Sequence, residues 1–229
     1  MIQKIFTLIL IPVNPRQFSI TEFRSYLAGK LGEYTTVHKD NTAGFIYRYP
    51  VVQCKQIRNT FMTFGISQGA DFLFELTNGI REISTGITAC TILERDTAIR
   101  FEEFGIGTPQ TYEFLTPWLA LDQQNKKKFY TLKGKPERDA FMHRILVNNL
   151  EMLAKSLDYP LPVPISCEAK TRFRIDRIER ENVIVFLGKI RTNLIIPDYF
   201  GIGQSVSQGF GTIQRIPDIP VPEDEGNRE

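Results

Sequence analysis

A strand–helix–strand–strand–helix–strand order in the first half of the chain, and a second half that repeats it, predict an α+β fold. The pattern is that of tandem ferredoxin-like (RRM-like) βαββαβ domains. A third observation marks the C-terminal domain: a glycine-rich loop, Gly201 to Gly211, stands before its last strand. The expected boundaries are 1–106, 107–216 and a tail at 217–229, with the seam near residues 104–112. A length of 229 residues suits one large domain or two small ones, and 42% hydrophobic residues can supply a core.

The β-branched run from Met1 to Pro12 reads as a buried first strand. It has no small-residue cleavage site and is too short to span a bilayer, and no other stretch could cross one. Ser19 and Glu22 then have the spacing of a capping box, with Phe18 and Phe23 as a hydrophobic staple. That helix should run through Leu27 and stop near Gly32. Gly44 to Ile57 and Thr60 to Ile66 read as two strands joined at Arg58-Asn59. A short apolar helix is expected over Ala70 to Thr77, then strands at Thr88 to Glu94 and Thr97 to Glu103.

In the second half, Thr111 to Leu121 is a strand candidate. Pro136 opens the longest helix, to about Asp158, with Met142, Leu146, Leu150, Leu153 and Leu157 on one face. His143 falls at the margin of that face, where packing would cover part of it. Ile165 to Ile178 and Val183 to Ile196 make a long hairpin, and Thr212 to Ile216 the final strand.

The net charge of +2 conceals a division. From Pro217 on, five acids and one base give −4, which leaves the body at +6: a mildly basic globule with a Pro-rich acidic tail. Cys54, Cys90 and Cys167 are far apart and form no C-x-x-C pair, which argues against disulfides and zinc. A reducing cytoplasm is the natural compartment.

The loop reads G-x-G-x5-G-F-G: Gly201, Gly203, Gly209, Phe210 and Gly211 form its frame, with Gln204, Ser205, Ser207 and Gln208 inside. Glycines at this spacing let backbone N–H groups approach a bulky anion, and the serine hydroxyls add donors. The chain has neither the Gly-Lys-Ser/Thr of a nucleotide P-loop nor a G-x-G-x-x-G opening a helix. A glycine-rich hairpin without a ligand fits the loop alone equally well. From Cys167 to Ile175, a period of two puts Glu168, Lys170, Arg172 and Arg174 on one strand face. Those cations suit RNA, and equally a charged, solvated edge strand. The run Lys126-Lys127-Lys128 reads as a solvated loop.

With these features in place, the chain resembles the RAMP superfamily of CRISPR-associated proteins, and within it the endoribonucleases that process CRISPR precursor RNA. Three blocks besides the loop carry the resemblance: Phe45 to Lys55 (FIYRYPVVQCK), Phe64 to Ala70 (FGISQGA) and Tyr112 to Asp122 (YEFLTPWLALD). The resemblance implies RNA cleavage without metal or other cofactor, by attack of the ribose 2′-hydroxyl on its own phosphodiester. The products would be a 2′,3′-cyclic phosphate and a 5′-hydroxyl. It also implies catalytic roles for His38, Tyr47 and Lys30, and RNA contacts from Arg48, Lys55, Lys170, Arg172, Arg174 and the loop. A histidine with an ordinary pKa of about 6.5 suits proton transfer near neutrality. The implied partners are CRISPR repeat RNA, with CRISPR effector proteins and a homodimer as further options.

The chain departs from the family pattern in two places. Asp40 stands where the branch commonly carries a second histidine, and a carboxylate cannot stabilise a phosphorane. Gln204 and Gln208 occupy positions where cations are common, so the loop itself would add no counterion-release term. Two rivals to the nuclease remain open on the same fold: a weak or inactive RNA-binding subunit, and a backbone protein of a CRISPR effector.

Overall fold

β1 (Ile2–Pro12) is covered on both faces, which accounts for its nearly unbroken apolar run. On one face Phe6, Leu8 and Leu10 pack with Phe23 and Leu27 of α1 (Ile20–Lys30) and Leu73 of α2 (Gln68–Leu76). On the other, Ile5 joins the core of the C-terminal half. The computed structural model describes residues 1–13, 19–30, 50–76, 82–84, 89–178 and 181–217.

β1 lies between β3 (Thr60–Ile66) and β5 (Ala89–Glu103), antiparallel to both, with Ile5 opposite Ile66 and Phe6 opposite Ile99. β2 (Val52–Ile57) and the short β4 (Glu82–Ser84) complete the order β2-β3-β1-β5-β4. The capping box forms as expected: Ser19 N donates to Glu22 Oε2 at 2.7 Å, and Glu22 N donates to Ser19 Oγ at 3.2 Å. Its staple partner Phe18 lies outside the described residues, as does 44–49 of the expected second strand.

One expectation in this half fails. The strands read at 88–94 and 97–103 are one strand, which passes Arg95 and Asp96 in register with Leu10 and Ile9. Arg95 and Asp96, which fall between the two expected strands, lie beyond the residues of β5 that pair with β4. Among the described residues no further strand pairs with the remainder, and charge is tolerated at such an edge.

The C-terminal half has β6 (Gly105–Phe114), α3 (Gln123–Thr131), α4 (Lys135–Ser156), β7 (Cys167–Ile178), β8 (Glu181–Ile195) and β9 (Ile213–Ile216). Its order, β7-β8-β6-β9, repeats the neighbour order of β2-β3-β1-β5, and this is the tandem ferredoxin-like arrangement the sequence predicts. The second crossover helix is reduced to a 3₁₀ turn, Val206–Gln208, inside the glycine-rich loop.

Three details of this half differ from expectation. β6 begins at Gly105 and stops at Phe114, so Leu115 to Leu121 is a loop, held by backbone bonds between Trp118 and Phe186. The three lysines are helical, because Asp122 caps α3 by accepting from Asn125 N at 2.7 Å. Lys126 Nζ donates to the Asn182 carbonyl at 2.7 Å, and Lys128 Nζ lies 5.7 Å from the Phe141 ring centroid. His143 is exposed, because the buried stripe of α4 runs through Met142, Ile145, Leu146, Leu150 and Leu153 instead.

The two sheets share a core. Ile5, Phe64 and Ile66 of the first half pack in one cluster with Phe104, Phe200, Ile202 and Val206, and Phe64 meets Phe200 edge-to-face at 5.3 Å. Among the described residues no helix is long and apolar enough to cross a membrane.

Candidate nucleic-acid interface

The glycine-rich loop is built into the junction of the two halves, and protein packing accounts for each of its framing glycines. A Cβ on Gly201 would lie 2.9 Å from Gln53 Oε1, and one on Gly203 2.5 Å from Trp118 Nε1. On Gly209 it would lie 3.0 Å from the Cys54 carbonyl oxygen. Gly211, at φ +64°, is the tightest: a Cβ would sit 1.9 Å from the Ile202 carbonyl oxygen.

The loop's backbone donors are largely spent on the protein as well. Gly201 N donates to Gln53 Oε1 at 3.0 Å, Gln204 N to the Leu119 carbonyl at 2.9 Å and Gly211 N to the Pro117 carbonyl at 2.8 Å. Thr116 Oγ1 donates to the Gly209 carbonyl at 2.6 Å and accepts from Thr212 N at 2.9 Å. The sequence blocks that accompany the loop thus form its seat: Gln53 and Lys55 from one, Phe64 from the next, Thr116 to Leu119 from the third. What remains outward is a polar rim, with Gln204 exposed and Ser205, Ser207, Gln208 and Phe210 half-buried.

Lys55 overturns its expected role as a surface cation. It is fully buried, its Nζ donates to Gln53 Oε1 at 2.7 Å and lies 5.8 Å from the Phe64 ring centroid. Burial pushes its ammonium down to about 7, and pushes the adjacent Cys54 thiol up to about 12. With β2 half-exposed only at Val52, Gln56 and Ile57, the alternation that would have aimed Lys55 outward is lost to the loop docked over it.

Lys170, Arg172 and Arg174 are exposed on edge strand β7, as the period of two implies. Arg174 is held by Asp176, Nε to Oδ1 at 2.8 Å. The structure adds two cations that the sequence reading missed: Lys189 opposite Lys170, and Arg191 opposite Glu168. Their alternation in Val183 to Ile196 was the available signal. This strip lies at the opposite edge of the sheet from β9, into which the loop leads.

His38, Tyr47 and Arg48 lie outside the described residues, as does Asp40. Lys30 is the last residue of α1. The flanks of that segment are defined: α1 neighbours the 3₁₀ turn of the loop, and the Pro50 carbonyl accepts from Gln53 Nε2 at 3.3 Å.

Comparison with known proteins agrees with this arrangement. Residues 1–103 match the model of the Cas6b N-terminal domain, and residues 106–216 that of the Cas6b C-terminal domain. A solved crystal structure of Cas6b is similar over 94% of this chain and 100% of its own, at 28% identity and a TM-score of 0.82. A second, described as the CRISPR RNA processing endoribonuclease Cas6b, is similar over 93% and 100%, at 26% identity and a TM-score of 0.73. The protein MJ0978 of Methanocaldococcus jannaschii is 28% identical over 62% of this chain and 97% of its own length. With both halves matched and their shared seam intact, the chain belongs to the Cas6b family.

Proposed function

We propose that this chain is a metal-independent endoribonuclease that binds CRISPR repeat RNA and cuts precursor crRNA. The observation that carries this reading is the likeness, over nearly the whole length, to a solved CRISPR RNA processing endoribonuclease of the same family. The reaction needs a base to take the 2′-hydroxyl proton, donors for the phosphorane, and an acid to protonate the departing 5′-oxygen. His38 serves as general acid or base, Tyr47 donates to the phosphorane or orients the 2′-hydroxyl, and Lys30 offsets its charge. The scissile bond opens to a 2′,3′-cyclic phosphate and a 5′-hydroxyl.

The flanks of the segment bearing His38 and Tyr47 support this placement. One end leaves α1, a neighbour of the loop, and the other returns at Pro50, bonded to the residue that holds Gly201. RNA lies along the rim of Gln204, Ser205, Ser207 and Gln208, with Arg48, Lys170, Arg172 and Arg174 supplying charge. Repeat RNA is read through single-stranded or loop bases rather than an A-form groove.

Incubating labelled repeat RNA with the protein in EDTA tests the class. Cleavage with cyclic-phosphate ends is the expected result, and His38→Ala should slow it by about 10²–10⁴-fold. Binding without cleavage over hours would overturn the enzyme reading in favour of an RNA-binding subunit, the reading that Asp40 favours. Cleavage untouched by His38→Ala would overturn the site and leave the class. Light scattering with repeat RNA separates both from an effector backbone: one or two copies per repeat fit a processing enzyme, and a long array does not.

A further inference from the structure

We propose that the cavity on the α4 side of the glycine-rich loop holds one unstacked adenine of the bound RNA, an inference that rests on the RNA-binding reading above. The loop has two sides. Gly201 and Gly209 are closed against β2, whereas Gly203, Gln204 and Ser205 line a cavity of about 540 Å³ opposite α4. That volume falls among the roughly 300–1,000 Å³ of small-ligand sites and admits a nucleoside.

Its lining selects a base over a phosphate. Among the described residues no lysine, arginine or histidine lines it, and the single charge there is the Asp122 carboxylate, which repels an anion. The other polar groups are mainly amides. Two of them are fixed in orientation: Asn149 Oδ1 accepts from Trp118 Nε1 at 3.1 Å, and Asn125 Nδ2 donates to Asp122 Oδ2 at 3.1 Å. The side chains of Asn148 and Gln204 have no hydrogen-bond partner among the described residues.

A carboxamide presents a donor beside an acceptor, the complement of adenine's N7 and N6 amine. Asp122 adds an acceptor, which favours a base with an exocyclic amine over uracil, which has none. Ile145 and Met152 provide apolar walls, and a thioether makes favourable contact with an aromatic ring.

The test measures equilibrium binding of the full chain to three probes: an oligouridine, the same oligomer with one central adenosine, and one with purine riboside there, which lacks the N6 amine. The adenosine should tighten binding about tenfold, the cost of one lost bidentate pair, and purine riboside should not. Asn148→Ala and Asn148→Asp, on an exposed helix face, should each abolish the adenosine gain while oligouridine binding persists. Equal affinity for the probes, or a gain that survives both variants, overturns the pocket and leaves RNA binding standing. Failure to bind any probe overturns the RNA-binding reading and the pocket with it.

Discussion

The side-chain oxygen of Gln53 accepts the backbone N–H of Gly201 at 3.0 Å, so a strand of the first half holds the loop of the second. The same oxygen accepts from Lys55 Nζ at 2.7 Å, and Gln53 itself is fully buried. One amide therefore satisfies two donors that water cannot reach.

Replacing it should be costly in a specific way. Gln53→Leu leaves two buried donors unmet, each worth about 1–3 kcal/mol. At about 2–4 °C per kcal/mol for a chain of this size, thermal melting should fall several degrees. Gln53→Glu keeps an acceptor for both donors and should melt well above Gln53→Leu.

Lys55 makes stability depend on pH. Its folded value of about 7 lies below the ordinary 10.5 of the unfolded chain. Below pH 7 both states hold the proton and the burial penalty is complete; from there to 10.5 the unfolded state binds more protons. Stability gained by the native state should rise with pH through that window, seen in denaturant unfolding at about pH 6 and about pH 9. Lys55→Met should flatten the difference.

The frame and the rim of the loop should separate experimentally. Gly211→Ala forces a Cβ against the Ile202 carbonyl at a positive φ and should cost at least about 2–4 kcal/mol. Gln208→Ala, on the half-buried rim, should change stability by about 0.5 kcal/mol or less while weakening RNA binding.

Salt dependence distinguishes surface cations from the buried one. If Lys170 and Arg172 neutralise phosphates of single-stranded RNA, Lys170→Ala and Arg172→Ala should each reduce the slope of log K against log salt by about 0.7. Lys55→Met should leave the slope unchanged.

Asp40 offers a gain-of-function test. Asp40→His should accelerate cleavage of repeat RNA by up to about 10²-fold in single-turnover assays, since it adds a group able to donate a proton. An unchanged rate would remove this position from the chemistry.

The sequence carried the fold well wherever local signals agreed with burial. The Ser19–Glu22 box, the α4 stripe and the β7–β8 hairpin all stand where periodicity puts them. It misread positions where tertiary contacts decide. Arg95 and Asp96 read as a gap between two strands unless their register with Leu10 and Ile9 is known, and Lys126 to Lys128 reads as loop unless the Asp122 cap outweighs low hydropathy. Lys55 reads as a surface charge because no local pattern announces that Gly209, 154 residues further on, will close over it. The glycines were legible as unusual, but composition could not tell a phosphate cradle from a close fit to protein. The adenine cavity had no sequence signature, since Asn125, Asn148 and Gln204 meet only in the fold.

The packing of Ile5, Phe64 and Ile66 into the other half's core bears on how such a chain can be divided. A cut at Phe104 would follow the sequence seam but leave each fragment with an uncovered apolar wall. The duplicated units are separable as patterns and inseparable as material. They should melt in a single calorimetric transition, and grafting either half onto a relative would succeed only if the wall residues travel with it.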